Sequence, residues 1–483
     1  MKNLKIPNIK YFKKVKKIIL NEILPSTNRE FNNIRRAIYS NKKILKLIND
    51  QGINIDEISS GVSDRKAYKG YIKQIISDMK RDKYYRNYYP SKGNIEARNA
   101  LSIYENYKLK NVASYTPEDF CLTEGSTGAI TMIFEYFKKY YSDSEIIIQS
   151  PNYYLYKFAA NYYNLKLLEV EPAIKQKGDS FIKSENILKN INKNTKLIII
   201  TNPANPSGEL FTKNNLLNIL KIAKEKNILV LVDELFAELV FDSKQYKYSD
   251  VIASSIGAMN NLVIVKGYSK SKNLVGLRIG YLFSKNKELI EAISQISQQR
   301  SSYSVASNFT GLISLDSFIQ SVRFNSLSKI KQVIKDFKII PTIKNKSYSE
   351  LMNEYRSYIK YFDSLLLYYS KSYDELITTL GRDVDISFPK SSAFNTIVKI
   401  NGLNGVNSFD FMVNCFITTG LKTEIGPCFG FSQKIWDEKF GFWVRLTFAK
   451  NKSKFRLGLI KFKKFKQLYL KNKDSFLNTN LSL

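Results

Sequence analysis

Between about residues 118 and 300 the sequence predicts an α/β fold, a mainly parallel sheet covered by helices. Three observations carry this. Short apolar runs such as 228–232 (ILVLV) and 262–265 (LVIV) read as buried strands. Between them lie stretches with apolar residues at helical spacing, for example Leu216, Ile219, Leu220 and Ala223. Strands and helices then alternate along the chain, as parallel strands require, because each must be reached by a crossover.

The bulk composition narrows the chemistry. With 483 residues, 44% hydrophobic and 24% charged, the chain has the make-up of an ordinary globular protein with room for two or three domains. It contains no histidine, which excludes serine–histidine triads and histidine-ligated metals and leaves proton transfer to Lys, Tyr, Cys or carboxylates; no metal is expected. The net charge of +32 is mostly lysine scattered along the chain, the pattern of a solvated surface rather than of a nucleic-acid or membrane footprint. Three well-separated cysteines, Cys121, Cys415 and Cys428, do not form a disulfide framework and suit a reducing cytoplasm. No run of 18 apolar residues is present, and the first residues lack the apolar core of a signal peptide.

Taken in order, residues 1 to about 50 are Lys-rich with apolar positions at helical spacing (Ile9, Phe12, Val15, Ile18, Ile19), giving one or two amphipathic helices. Residues 60–64 (SGVSD) form a loop containing Gly61. A Pro–Gly loop following Tyr88 opens a helix through Leu101 and Ile103. Residues 120–123 make a strand. Gly125, Ser126, Thr127 and Gly128 make a small-residue turn, and a helix is expected from 129 to 140. Such a turn before a helix N-terminus offers N–H groups and hydroxyls to an anion, though many α/β turns look alike. The strand at 145–148 ends in a proline turn carrying Tyr153, which could stack on a planar ring or pack in the core. The strand at 196–201 ends in a rigid loop with two Asn–Pro pairs, the second at Asn205. The strand at 228–232 delivers Asp233 to the same sheet edge, where a buried carboxylate needs a cationic partner.

The strand at 262–265 leads to Ser269 and Lys270, and Arg278 follows eight positions after that lysine, ahead of a strand at 279–283. A lysine near a hydroxyl and a guanidinium suggests a Schiff-base amine beside an anion site. A helix from about 285 to 299 follows, then a Lys-rich helical stretch from 315 to 375, and mixed α and β from 380 to 470. There Arg445 alternates with apolar neighbours, a pattern that fits a charge aimed into a cleft and equally an outward-facing edge residue.

These segments, from about 60 to 460, resemble the class I/II aminotransferases, the fold-type I pyridoxal-phosphate enzymes. The motifs stand in that family's order: a Gly-Ser-Thr turn, a Pro-x-Tyr turn, Asn-Pro-Ser-Gly, Asp-Glu, Ser-Lys with an arginine eight positions on, and a late arginine in a strand. The resemblance implies a seven-stranded sheet in a large domain, a smaller α+β domain built from both chain ends, and pyridoxal 5′-phosphate as cofactor. Lys270 would be its Schiff-base lysine and proton shuttle, and Asp233 the partner of the pyridine nitrogen. Asn205 would serve the ring's 3′-oxygen and Tyr153 its face. Gly125, Ser126, Thr127, Ser269 and Arg278 would hold the phosphate. Arg445, with Asn205 and Gly61, would bind the substrate, its guanidinium forking the α-carboxylate. Tyr88 would reach the cofactor of a second subunit, which implies a homodimer.

The resemblance divides the chain into a basic helical extension (1–50), the first part of the small domain with a dimer arm (51–95), the large cofactor domain (96–315), a helical extension (316–375) and the C-terminal small domain (376–483). Two positions depart from the family pattern. Phe236 stands where a tyrosine is usual, removing a hydrogen bond to the 3′-oxygen, and Gly267 stands where a phosphate-binding Ser or Thr is common. The expected activity is transfer of an amino group between an L-amino acid and a 2-oxo acid in the cytoplasm. A lyase, decarboxylase or cyclase on the same fold is the alternative. A nucleic-acid-binding regulator would need a helix-turn-helix module, for which the first 50 residues are too short.

Overall fold

The computed structural model describes every residue except 1–3, 82–85, 110–112, 173, 175–177, 302, 326, 393, 480 and 482, so the first residues of the basic extension lie outside the described residues. A two-residue strand, β1 (Asp56–Glu57), precedes the central sheet. That sheet comprises β2 (Phe120–Glu124), β3 (Glu145–Gln149), β4 (Lys166–Val170), β5 (Thr195–Thr201), β6 (Leu229–Asp233), β7 (Leu262–Gly267) and β8 (Ile279–Ser284). Its order is β2-β8-β7-β6-β5-β3-β4. Only β8 runs against the others, pairing antiparallel with both β2 and β7.

The strands are apolar on both faces because both faces are covered. Ile146, Ile148, Leu197, Ile199, Leu229, Leu231, Val263 and Val265 pack on one side with helices Gly125–Tyr140 and Lys287–Arg300. The alternating residues Ile147, Ile198, Ile200, Val230, Val232 and Ile264 join the core on the other side, with helix Lys213–Glu225. This period of two is what a pleated strand imposes, so a run without polar residues is the signature of burial from both sides. Strand β4 lies at the sheet edge, partly exposed, with Lys166 and Glu169 among its five residues.

The second region has a four-stranded sheet formed by β9 (Val384–Ile386), β10 (Asn395–Ile400), β12 (Glu424–Ile425) and β13 (Trp443–Thr447), ordered β12-β13-β10-β9. Strand β11 (Leu421–Lys422) pairs in parallel with β1. The basic N-terminal segment folds onto this region as helices Ile9–Ile18, Phe31–Ser40 and Lys42–Asn49. The Tyr11 hydroxyl donates to the Ile417 carbonyl at 2.8 Å, and that of Tyr39 donates to the Thr423 carbonyl at 3.0 Å. Helix Tyr348–Leu380, capped by Ser347 and Glu350 in a reciprocal capping box, buries Tyr358, Phe362, Leu365 and Tyr369 along one face. No helix among the described residues is long and apolar enough to cross a membrane.

Candidate active site

The strand directions explain why the candidate residues meet. In a sheet of parallel strands the C-terminal ends lie on one edge, and the loops leaving them gather there. Asp233 ends β6, the loop with Asn205 follows β5, and Lys270 follows β7. Because β8 is reversed, its beginning lies on that same edge: Gly267 stands opposite Gly280, which brings Arg278 beside the turn leaving β2.

Arg278 adopts a left-handed backbone (φ 53°) and donates from Nη1 to the Val275 carbonyl at 3.1 Å and from Nη2 to the Glu124 carbonyl at 3.4 Å. Its guanidinium lies against Gly125: a Cβ on that residue would be 2.7 Å from Arg278 Nη2. Gly280 permits the approach from the other strand, since a Cβ there would stand 2.4 Å from the Gly125 carbonyl carbon. The helix begins at Gly125 rather than at residue 129 as the small-residue turn suggests, so Ser126 and Thr127 occupy its first turn, where N–H groups have no intrahelical acceptor. Ser126 and Ser269 are buried, at 7% and 8% exposure. A Cβ at Gly267 would crowd the Ile279 carbonyl (3.2 Å) and the Ser126 nitrogen (3.5 Å), which gives a packing reason for glycine where a hydroxyl residue is expected.

Asp233 is 3% exposed. Its Oδ2 accepts from the Tyr156 hydroxyl at 2.8 Å and its Oδ1 from the Leu235 N–H at 3.0 Å. Burial raises its pKa, opposed by those two donors and by the positive charge of Lys270. Tyr156 also shares a 3.0 Å hydrogen bond with Thr201 Oγ1. Sequence reasoning passed over this tyrosine in favour of Tyr153, whose ring centroid lies 6.1 Å from that of Tyr156 in an edge-on arrangement. Phe236 is buried against Phe394, their centroids 5.3 Å apart.

The Lys270 amine donates to the Gly61 carbonyl and lies 5.7 Å from the centroid of Phe394. Burial, together with the positive charges of Arg445 and Arg278, pushes its pKa down to about 8, against the opposing pull of Asp233 and Glu424. No ion pair of the described residues involves it. Lys272, two positions further on, is a different case: it is 2% exposed and enclosed by the carboxylates of Glu238 and Asp316.

Arg445 points inward from β13 and is 5% exposed, which closes the alternative of an outward-facing edge residue. Its Nε and Nη2 donate to the Ser59 carbonyl at 2.9 and 2.7 Å, its Nη1 donates to Asn205 Oδ1 at 3.2 Å, and its Nη2 also donates to Glu424. A Cβ on Gly61 would be 3.6 Å from both Arg445 Nη2 and Lys270 Nζ, so the Ser59–Gly61 segment runs between the two cations. The Asn205 loop is tied to the second region: Asn395 Nδ2 donates to the Pro206 carbonyl at 3.0 Å and Ser392 Oγ to the Gly208 carbonyl at 2.8 Å. Tyr88 is 87% exposed in a single chain.

The seven-stranded, largely parallel sheet, with a lysine, an aspartate and an arginine gathered at one edge, is the fold-type I architecture of pyridoxal-phosphate transferases. The family model for aminotransferase class I and II matches residues 59–337, and the chain belongs to that family. An aspartate aminotransferase of Bacillus sp. (strain YM-2) is 27% identical over 252 residues, covering 52% of this chain and 62% of that protein. A (5-formylfuran-3-yl)methyl phosphate transaminase of Methanocaldococcus jannaschii is 28% identical over 254 residues, covering 52% of this chain and 61% of that protein. The chain thus spans about half to three fifths of the length of the curated relatives it matches. Among solved structures, a Thermus thermophilus aspartate aminotransferase with maleate superposes with a TM-score of 0.67 at 20% identity, covering 89% of this chain and 96% of that one. An aromatic aminotransferase from Pyrococcus horikoshii gives 0.67 at 18% identity, covering 89% and 99%.

Proposed function

We propose that this chain is a pyridoxal-phosphate-dependent aminotransferase that moves an amino group between an L-amino acid and a 2-oxo acid. The observation that carries this reading is the state of Lys270: an amine with a pKa lowered to about 8, among Arg278, Arg445 and Asp233, on the sheet edge where ligands bind. Three further observations support a fit to the coenzyme. Gly125 and Gly280 leave no room for a Cβ where the backbone meets Arg278, which suits a phosphate lying on N–H groups and a guanidinium. The buried Asp233 has donors on both oxygens and remains the acidic group best placed for a protonated ring nitrogen. Asn205 is held by Arg445, which leaves its amide N–H groups for a ring oxygen.

When bound, the coenzyme supplies an electrophilic carbon for the amino group and a ring that takes up the electron pair left on the substrate's α-carbon. Everything else falls to the chain. Lys270, neutral above about pH 8, is the nucleophile that anchors the coenzyme, and its Nζ afterwards takes and returns the proton of the α-carbon. Asp233 keeps the proton on the ring nitrogen, and Tyr156 and the Leu235 N–H fix its carboxylate. Tyr153 covers the ring face. Ser126, Thr127, Ser269 and Arg278, with the helix N-terminus at Gly125, hold the phosphate. Arg445 takes the α-carboxylate, with Asn205 and Gly61 beside it. Phe236 brings no hydroxyl, so Asn205 alone serves the 3′-oxygen from this side.

The working unit in this reading is a cytoplasmic homodimer in which Tyr88, 87% exposed on its own chain, reaches the phosphate bound by the second copy. The three cysteines are free and buried, in keeping with a reducing compartment. The test is to load purified protein with pyridoxal phosphate and add single amino acids, following the coenzyme's absorbance and the 2-oxo acid released. One 2-oxo acid per amino acid consumed, dependent on an added acceptor for turnover, is the expected result. Carbon dioxide, ammonia or a cyclic product in its place would overturn it.

A further inference from the structure

The arginine that takes the substrate's carboxylate in this reading already holds a carboxylate from its own chain. Arg445 and Glu424 stand directly opposite each other on the antiparallel strands β13 and β12, and Arg445 Nη2 donates to Glu424 Oε2. The Ser59 carbonyl takes one N–H each from Nε and Nη2, and Asn205 Oδ1 takes one of the two on Nη1, which leaves the second Nη1 N–H for a ligand. An Arg–Glu pair in contact has no net charge, so a second carboxylate brought to it would meet Glu424 as a repelling neighbour.

The other oxygen of that same carboxylate lies on a second arginine. Glu424 Oε1 is 3.2 Å from Arg35 Nη2. Arg35 belongs to helix Phe31–Ser40 of the basic N-terminal segment and is 6% exposed. Asn32 Oδ1 accepts from the same Nη2 at 3.3 Å. Four residues along, Tyr39 pins the helix beside Glu424: its hydroxyl donates to the Thr423 carbonyl at 3.0 Å and accepts the Thr423 N–H at 3.1 Å. The neighbouring Cys428 thiol is pushed up to about 11 by burial and is neutral at physiological pH, and Glu57, whose charge also acts on Arg35, is exposed to water on β1. The cluster of Arg35, Glu424 and Arg445 therefore carries one net positive charge, enough for one arriving carboxylate.

We propose that Arg35 is a specificity-determining residue: it supplies the positive charge that lets Arg445 bind the substrate's α-carboxylate while still paired with Glu424. The inference rests on Arg445 being the carboxylate's partner, and it gives the N-terminal helices a part in substrate selection rather than only in folding. Arg35 acts through Glu424 and is a positioning residue, so its removal falls on substrate affinity.

The test uses coenzyme-loaded protein and propionate as the probe, with dissociation constants from calorimetry at fixed ionic strength and KM and kcat for an amino acid alongside. Arg35→Met is expected to weaken propionate binding about tenfold or more and to raise KM by more than it lowers kcat, while Arg35→Lys stays within about threefold of wild type. Adding Glu424→Gln to Arg35→Met restores the net charge and returns binding to near the wild-type value. A purely structural Arg35 would lower the melting temperature without any such rescue, and that result overturns the proposal. So does unchanged binding in Arg35→Met while Arg445→Gln has lost it, an outcome that leaves the reading of Arg445 standing. Wild-type binding in Arg445→Gln instead removes the assignment of Arg445, and this inference with it.

Discussion

Lys266, Lys270 and Lys272 leave the same strand and turn, yet the two sides of that turn place them in opposite electrostatic states. On one side lies a buried ion network. Lys266 is 2.9 Å from Glu105 and 3.4 Å from Glu234, Lys108 is 2.9 Å from Asp250, and Lys272 is 2.7 Å from Asp316. Burial alone would lower these three amines, but their carboxylates hold each of them above the ordinary lysine value. On the other side Lys270 meets a backbone carbonyl and two guanidinium groups, and burial then prevails, bringing it down to about 8. The difference teaches that withdrawal from water does not by itself make a lysine reactive; the sign of the charges sharing its enclosure decides.

The comparison can be broken most decisively by exchanging the roles of two neighbours. Lys270→Ala is expected to lower turnover by about 10⁴-fold or more and to abolish the absorbance band of lysine-bound coenzyme. Lys272→Met should retain that band but strand the buried carboxylate of Asp316 and deprive the half-buried Glu238 of its partner, costing about 3–5 kcal/mol of stability, to be read from denaturant unfolding. If Lys272→Met loses the band while Lys270→Ala keeps it, the contrast drawn between the two sides of the turn is wrong.

A pH series sharpens the same contrast. Below about 8 the Lys270 amine is protonated and unreactive, so coenzyme capture, followed by stopped-flow absorbance, should rise roughly tenfold per pH unit towards 8 and level off above it. A profile still rising at the ordinary lysine value would show that the guanidinium groups and burial do not act in this way. Tyr156→Phe probes the aspartate: losing the hydroxyl that donates to Asp233 Oδ2 should weaken coenzyme affinity by about 1–2 kcal/mol, as measured by equilibrium titration. The smallest effect belongs to an exposed pair outside both regions. Lys43 lies 2.8 Å from Glu22 on the N-terminal helices, and Lys43→Ala should change stability by less than about 0.5 kcal/mol in the same unfolding experiment.

How much of the molecule was legible in the sequence depended on distance along the chain. Strands β6 and β7 were legible because an unbroken apolar run of that length, set between helical stretches, fits a strand buried on both faces. That Lys270 and Arg278 lie on one strand connection was legible because their spacing is local. Strand β4 was missed since Lys166 and Glu169 give an edge strand the look of a loop. The helix start at Gly125 was displaced because glycine, serine and threonine read as a turn, while here a single positive φ (70°) at Gly125 makes the turn and the hydroxyl residues belong to the helix. The hydrogen bond from Tyr156 to Asp233 was hidden among 32 tyrosines. Nothing local could announce that Arg35 shares Glu424 with Arg445; that follows only from β12 pairing with β13 and from a helix docked by Tyr39.

The reversed strand β8 has a practical consequence for anyone altering this protein. The hairpin from β7 to β8 carries the Lys270 amine near one end of its connection and the Arg278 guanidinium at the other, and the Gly267–Gly280 pairing locks the two legs together like the jaws of a calliper. Exchanging one side chain along the connection leaves the chain length between the jaws unchanged, but inserting or deleting a single residue there would reset the gap. Libraries that vary loop length should therefore leave 268–278 alone and work elsewhere.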